Sequence, residues 1–422
     1  MAVATVASAF SPLFGFLLGP EPDVSVRFWD GSTFGRMSDP VATVTIDGPE
    51  TLRRVLYRPN DLGFGRAYVT GGLTVEGDIF EALRQVARAA PPDWKIPPSV
   101  LISTLRAAGR LGVLGRPLPP PQEEARLRGR LHSRRRDAAA IAHHYDVSNE
   151  FYRLVLGPTM TYSCARFVKP DAGLEEAQEA KYELICRKLG LTEGQRLLDI
   201  GSGWGGMVMH AARHHRVRAV GATVSQGQWE LAGQRIEDAG LGDLAQVHLC
   251  DYRQLPDDAP FDAVSSIGMF EHVGRANADG YFSQIFRRLR PGGRLLNHAI
   301  STPEGAVMGK DTFIARYVFP DGELHDVGDT VLQMEKAGFE VRDVESLREH
   351  YALTLRHWVA NLEDNWDEAV ALVGEPRARA WKIYMTGSAV SFEENEIAIH
   401  QILGVRPDPQ GRSGMPLTRD GW

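Results

Sequence analysis

From residue 195 onward, short apolar runs alternate with longer amphipathic stretches. "QRLLDIG" has the continuous apolar run of a buried strand, and "GWGGMVMHAARHH" the spacing of a helix. "VRAVGATV" is again a strand, and "SQGQWELAGQRIEDAG" a helix closed by Gly240. "AQVHLCDY" and "FDAVSSIGMF" follow as strands. "ADGYFSQIFRRLRPGG" reads as a helix stopped by Pro-Gly-Gly, and "RLLNHAIS" as one more strand. Strands alternating with helices predict an α/β fold with a mostly parallel, doubly wound sheet. Ligands of such sheets sit beyond the carboxyl ends of the strands. Gly201, Glu271 and His298 all fall at such ends, so one cleft can hold all three.

The chain before residue 115 has a different pattern. Strand-like pieces, "VSVRFWDGSTF" and "VATVTIDG", precede helical ones, "PETLRRVLY" and "GDIFEALRQVARAA". This predicts a small N-terminal α+β domain over residues 1–114. "GRPLPPPQEE" opens a Pro- and Arg-rich linker, 115–139, which the prolines make extended and stiff. The larger domain then occupies 140–422. There is no internal repeat.

With 422 residues, two domains are expected. Apolar residues make up 43% and charged ones 24%, the balance of a globular protein. A net charge of −7 argues against a nucleic-acid partner. The charge is uneven, however: "RLRGRLHSRRRD" packs Arg126, Arg128, Arg130, Arg134, Arg135 and Arg136 into eleven residues. That segment is either a solvated helix face or a lipid-headgroup contact, worth about 1 kcal/mol per basic residue near an anionic membrane. It lacks the interleaved aromatics that stack on bases. Cys164, Cys186 and Cys250 are too far apart for a C-x-x-C or zinc spacing, so a reducing compartment with no structural metal is expected. No apolar run approaches the ~20 residues that span a bilayer. The apolar start, "FSPLFGFLLGP", lacks a basic lead and contains Pro12 and Pro20. It reads as a segment that packs on the protein or touches a membrane, not as a signal peptide.

"LLDIGSGWGG" places Asp199, Gly201, Gly203, Gly205 and Gly206 after the first strand of the regular region. Glycines let a backbone turn tightly and approach a ligand. The loop also fits the dinucleotide pattern G-x-G-x-x-G. A NAD site, however, wants an acid at the end of the second strand for the ribose. That position reads "GATVSQ", with Thr223 and no acid. The acid-led D-x-G-x-G-x-G form points instead to S-adenosylmethionine. Thr223 and Gln228 then offer neutral ribose contacts, and Asp251 and Tyr252 suit the adenine.

The motifs "YDVSNEFYRLVLGPTMTYSCARF", "LLDIGSGWGGM", "GMFEHVG", "NHAIS", "ARYVFPDGEL" and "HYALTLRHW" together resemble the cyclopropane-fatty-acid synthase family over about residues 140 to 400. "GFGRAYVTGGLTVEGD" resembles the extra N-terminal domain of the phospholipid-acting members, which implies that the domain of residues 1–114 is associated with lipid or membrane. The longer actinobacterial type that makes the methylene precursor of tuberculostearate looks closest. The resemblance implies a Rossmann-like class I methyltransferase fold. The implied activity is methyl transfer from S-adenosylmethionine to a cis double bond of an oleoyl-like phospholipid chain. The alkene is the nucleophile, and a carbocation forms beside a bound bicarbonate ion. Ring closure gives a cyclopropane; proton loss without closure gives a methylene branch, which a separate reductase would saturate.

Residue by residue, Cys164 in "YSCA" and Ile300 in "HAIS" match positions whose backbone N–H groups hold the bicarbonate. Glu271, His298 and Tyr351 match the side-chain positions. Tyr162 and Ser163 match cofactor-contacting positions, as do Gly201, Thr223 and Gln228. The family also implies a cytoplasmic enzyme held peripherally at the inner membrane face, and a homo-oligomer.

The chemistry explains the set. A fixed anion lowers the free energy of a cation formed in an apolar pocket. Two anions, Glu271 and bicarbonate, coexist if the bicarbonate hydroxyl donates its hydrogen to Glu271. Cys164 is a poor nucleophile candidate, because nothing near it in sequence activates a thiolate. A mid-chain alkene lies roughly eight CH₂ groups down, and withdrawing them from a bilayer costs about 6 kcal/mol at ~0.8 kcal/mol each. Phe167, Tyr317, Phe319 and Trp358 are aromatic residues of the kind that line a compensating tunnel. Each alone is more often core. A small-molecule N-methyltransferase of the same fold is the rival reading; a non-catalytic lipid-binding paralogue is a second.

Overall fold

The computed structural model describes residues 5–89, 95–125, 148–255, 259–303, 309 and 311–422. The chain divides into two compact units. The first draws on Met1–Arg126, Gly309–Val318 and Trp366–Val390, and the second on Leu127–Met308, Phe319–Asn365 and Ser391–Trp422. The first unit is thus assembled from three stretches, whereas the compositional pattern shows only the N-terminal one. The arginine cluster from Arg126 to Arg136 lies outside the described residues.

The first unit is built on four strands: β1 (Ser25–Phe28), β2 (Thr33–Gly35), β3 (Ala42–Ile46) and β4 (Leu73–Gly77), in the order β2-β1-β3-β4. "VSVRFWDGSTF" is therefore two antiparallel strands and their turn. The apolar start is a helix, Val6–Leu18, which buries Phe10, Leu13, Phe14 and Leu17 in this unit's core. Pro12 does not break it. The carbonyl of Ser8, which Pro12 has no N–H to reach, accepts the Ser11 hydroxyl at 3.1 Å instead. The segment 115–125 is no free spacer. Gly115 and Pro119 carbonyls accept from Tyr57 and Arg54, and Glu124 holds Arg66 through two bonds of 2.9 and 2.8 Å.

The second unit carries a seven-stranded sheet: β5 (Arg196–Ile200), β6 (Arg218–Thr223), β7 (Ala245–Leu249), β8 (Phe261–Ile267), β9 (Leu289–Ser301), β10 (Glu340–Ser346) and β11 (Ala398–Val405). The order is β10-β11-β9-β8-β5-β6-β7. The strands from β9 to β7 run parallel, and β11 is antiparallel to both its neighbours. The fold is the α/β, Rossmann-like doubly wound sheet expected from the alternation. Side-chain alternation sends Leu198, Ile200, Val264 and Leu295 to one core and Leu197, Ala263 and Leu296 to another. Helices Ala278–Arg288 and Val327–Lys336 cover the first; helices Leu174–Leu189 and Gly206–His215 cover the second.

The Pro-Gly-Gly stop needs correction. The helix ends at Arg288, and β9 begins at Leu289, so Pro291, Gly292 and Gly293 lie inside the strand. Gly292 N–H donates to the Arg406 carbonyl, and Arg406 N–H returns to Gly293, so the run is paired. A Cβ at Gly293 would stand 2.9 Å from one carbonyl oxygen and 3.0 Å from another, which is why glycine fits there.

Candidate active site

The chain leaves β5 for β6 and β7 on one side of the sheet, and β8 leads to β9 on the other. A crevice opens where the order reverses, beyond the carboxyl ends of β5 and β8. The cavity there is lined by Ile200 to Trp204 after β5, Thr223 and Val224 after β6, Cys250 to Arg253 after β7, and Ile267 to Met269 after β8. All nine expected cofactor residues line it: Tyr162, Ser163, Asp199, Gly201, Gly203, Thr223, Gln228, Asp251 and Tyr252.

The loop geometry requires its glycines. Gly201 has φ +79° and Gly205 φ +80°, and a Cβ on Gly201 would sit 3.3 Å from Met269. A Cβ on Gly206 would fall 2.3 Å from the Tyr182 hydroxyl. Asp199 lies opposite Ser265 in the β5–β8 ladder and accepts its hydroxyl at 2.7 Å. Burial pushes the Asp199 carboxyl up to about 6, against the pull of Ser265 and Lys181.

Some polar groups are already engaged with one another. The Thr223 hydroxyl donates to the Gln228 side-chain oxygen at 2.7 Å, which fixes both at the end of β6. The Asp251 carboxylate accepts from the backbone and guanidinium of Arg253. It is therefore oriented by Arg253 and is not an isolated acid.

Lys181, Trp204, Arg253 and His272 are among the lining residues that escape sequence reasoning. Lys181 had a visible signal. It shares the apolar stripe of Leu174, Ala177 and Ile185 on its helix, where a lysine is out of place. It is fully buried, donates to Ser163 Oγ at 2.9 Å and lies 3.8 Å over the Tyr182 ring. Burial drives its ammonium down to about 7, with Cys164 and Asp199 opposing.

The second group of expected residues is a connected neighbourhood. His298 and Ile300 stand two apart on β9 and share a face. Ile300 pairs with Ile399 of β11, whose carbonyl accepts Leu347 N–H at 2.9 Å. The Leu347 carbonyl lies 3.7 Å from Cys164 Sγ and accepts Tyr351 N–H at 3.1 Å. Glu271 closes the set: its Oε1 accepts Ile300 N–H at 2.7 Å. These bonds join Glu271 directly to Ile300, and Cys164 to Tyr351 through the Leu347 carbonyl; none of the five is among the residues that line the cavity. The Ile300 N–H, expected to face an anion, is held by Glu271.

The electrostatics of this neighbourhood are unusual. Glu271 sits in a short 3₁₀ turn, Phe270–His272, and is buried. Burial pushes its carboxyl up to about 7, with the Ile300 N–H only partly compensating. Glu271 Oε2 and both ring nitrogens of His298 have no hydrogen-bond partner among the described residues. Burial and the Lys181 charge hold the His298 imidazole neutral. Burial also pushes the Cys164 thiol well up, so it is not a thiolate. Tyr351 and Tyr162 both meet Trp358, at ring separations of 6.0 and 5.1 Å. Aromatic contacts thus run from the cofactor cavity to Tyr351. Of the aromatic tunnel candidates, Trp358 is buried in this chain, and Phe167 stacks on His350 and His357.

Comparison with known proteins agrees with the geometry. A family model described as mycolic acid cyclopropane synthetase matches residues 132–402. A probable fatty acid methyltransferase of Mycobacterium tuberculosis is 45% identical over 406 residues, covering 93% of each chain. The cyclopropane-fatty-acyl-phospholipid synthase of Escherichia coli is 34% identical over 363 residues, covering 86% of this chain and 87% of its own. A crystal structure of a mycolic acid cyclopropane synthase with S-adenosylhomocysteine and CTAB superposes with a TM-score of 0.60. It is 36% identical and covers 63% of this chain and 97% of its own.

Proposed function

The chain belongs to the mycolic acid cyclopropane synthetase family of S-adenosylmethionine-dependent methyltransferases that act on lipid acyl chains, and on that premise we propose its substrate, its ion and its membrane contact. The substrate is the cis double bond of an oleoyl-like chain in a phospholipid. The product is a methylene-branched chain, precursor of a tuberculostearate-type acid after a separate reductase, or the corresponding cyclopropane.

A bicarbonate ion beside the alkene is supported by one observation: three buried polar atoms, Glu271 Oε2 and the two His298 nitrogens, have no partner among the described residues. An acyl chain would leave them unsatisfied, at about 1–3 kcal/mol each. A small oxyanion with its own hydroxyl can donate to Glu271 Oε2 and accept from one His298 nitrogen, so the donor and acceptor set present suits the ion. When bound, it would supply a negative charge and a proton acceptor next to the developing cation. S-adenosylmethionine supplies the methyl group.

The rest is the chain's own work. Glu271 Oε1 is fixed by Ile300, which aims Oε2 as the remaining acceptor. With its pKa near 7, Glu271 shares or takes a proton at neutral pH. Neutral His298 offers one donor and one acceptor. Tyr351 adds its phenol. Asp199 and the positive-φ glycines shape the cofactor loop, while Thr223 and Gln228 hold each other ready for a ribose.

Peripheral membrane contact is supported within the first unit. On helix Pro98–Arg110, Leu101, Ile102 and Leu105 are 45%, 50% and 49% exposed at i, i+1 and i+4. That apolar edge is flanked by Arg106 and Arg110, the pattern of a helix lying in a lipid interface. No described helix is long and apolar enough to cross a membrane.

The test uses dioleoyl phospholipid vesicles and methyl-labelled S-adenosylmethionine. The label is expected in the acyl chain, with mass spectrometry and NMR giving ring or methylene. Labelling of small amines with none in the acyl chain would refute the proposal.

A further inference from the structure

We propose that this chain holds one zinc ion between helices Leu174–Leu189 and Gly206–His215, through Cys186, His210, His215 and Glu183. The linear spacing of these residues matches no zinc motif; helix packing assembles them. Cys186 Sγ and a ring nitrogen from each of His210 and His215 lie within 4.8 Å of one another. Glu183 Oε2 is 3.0 Å from His215 Nε2 and 3.5 Å from His210 Nε2. Its other oxygen accepts Arg187 Nε at 2.7 Å, which leaves Oε2 pointed at the imidazoles.

A hydrogen-bonded trio of Glu183 and two histidines explains three of these groups. It does not explain why a free, buried thiol completes the cluster. One thiolate, two neutral imidazoles and one carboxylate suit tetrahedral Zn²⁺, with ligand bonds of about 2.0–2.3 Å. Closing onto such an ion needs each donor to shift by only a fraction of its present separation. Charge also balances: two positive charges on the ion meet one on the thiolate and one on the carboxylate. The Cys186 S–H bond breaks, a Zn–S bond forms, and the proton passes to solvent. The histidine side chains are 11% and 18% exposed and Glu183 is 32%, so an ion can enter from that side. Other groups facing the cluster are Arg187, the His214 ring at 4.5 Å from that of His210, and Tyr182 at 5.6 Å.

The site is not catalytic. The cofactor cavity is lined by Lys181 and Tyr182 from one of these helices and by Gly206 and Met207 from the other. A zinc ion would pin the two together behind the cofactor loop.

The experiment takes the full chain, strips it with a chelator and titrates Co²⁺, then Zn²⁺. The expected result is one Co²⁺ per chain, with tetrahedral ligand-field bands and a thiolate charge-transfer band, displaced by Zn²⁺. Cys186→Ser should abolish the charge-transfer band. His215→Gln, a change at a partly exposed position, should weaken Zn²⁺ binding by at least the ~10–100-fold seen for lost outer-shell partners. Metal-free binding of S-adenosylhomocysteine by each variant shows that the fold is kept. Zn²⁺ should raise the unfolding midpoint of the parent chain by more than that of either variant at the same concentration. Absence of stoichiometric binding, or a Co²⁺ spectrum unchanged by Cys186→Ser, would overturn the proposal.

Discussion

Replacing Glu271 with Gln separates the stability of this site from its chemistry. The amide keeps the shape and an oxygen for the Ile300 N–H, but cannot ionise. In the folded chain the carboxyl titrates near 7, against an ordinary value of 4.5. The folded state therefore holds this proton more tightly than the unfolded state, and stability falls as pH rises from 4.5 through 7. At about 1.4 kcal/mol per unit, the charged form opposes folding by about 3 kcal/mol once fully ionised. About 2 kcal/mol of that change falls between about pH 5.5 and about pH 8.5. Urea unfolding at those two pH values should show the parent chain losing this increment and E271Q lacking it. Turnover on oleoyl vesicles should move the opposite way, falling by about a hundred- to a thousandfold in E271Q, with S-adenosylhomocysteine binding kept. A variant as pH-dependent in stability as its parent would refute the burial reasoning. Unchanged turnover would remove Glu271 from the chemistry.

Gly201→Val should weaken S-adenosylhomocysteine binding by about tenfold or more, read by calorimetry, because a β-branched residue at φ +79° is strained and its Cβ presses on Met269. Unaltered affinity would mean that the loop tolerates another conformation. Cys164→Ala should keep turnover within about threefold and leave the enzyme as resistant to alkylating reagents as its parent, since the thiol is buried and protonated. A loss beyond about a thousandfold would instead make it a nucleophile.

The strand-helix alternation made the second unit legible, because each strand is an apolar run and each helix an amphipathic one. That the nine expected residues would line one cavity was legible too, since a doubly wound sheet gathers its strand ends. The resemblance named Glu271 and four further residues, but no local pattern shows that Ile300 N–H turns to Glu271, a contact made across 29 positions. Pro-Gly-Gly misled because its pairing partner, Arg406, lies over a hundred residues away. The return of 309–318 and 366–390 to the first unit is equally non-local. Lys181 was readable in principle, as a charge on an apolar stripe, but only once burial of that stripe is taken seriously.

The stack of Tyr162 on Trp358 gives the cavity wall a π-face, and such a face weighs a cation differently from an uncharged thioether. Were the positive sulfur of the methyl donor to rest on that face, an attraction of about 0.5–2 kcal/mol would vanish once the methyl departs, and release of the spent molecule would be favoured over rebinding.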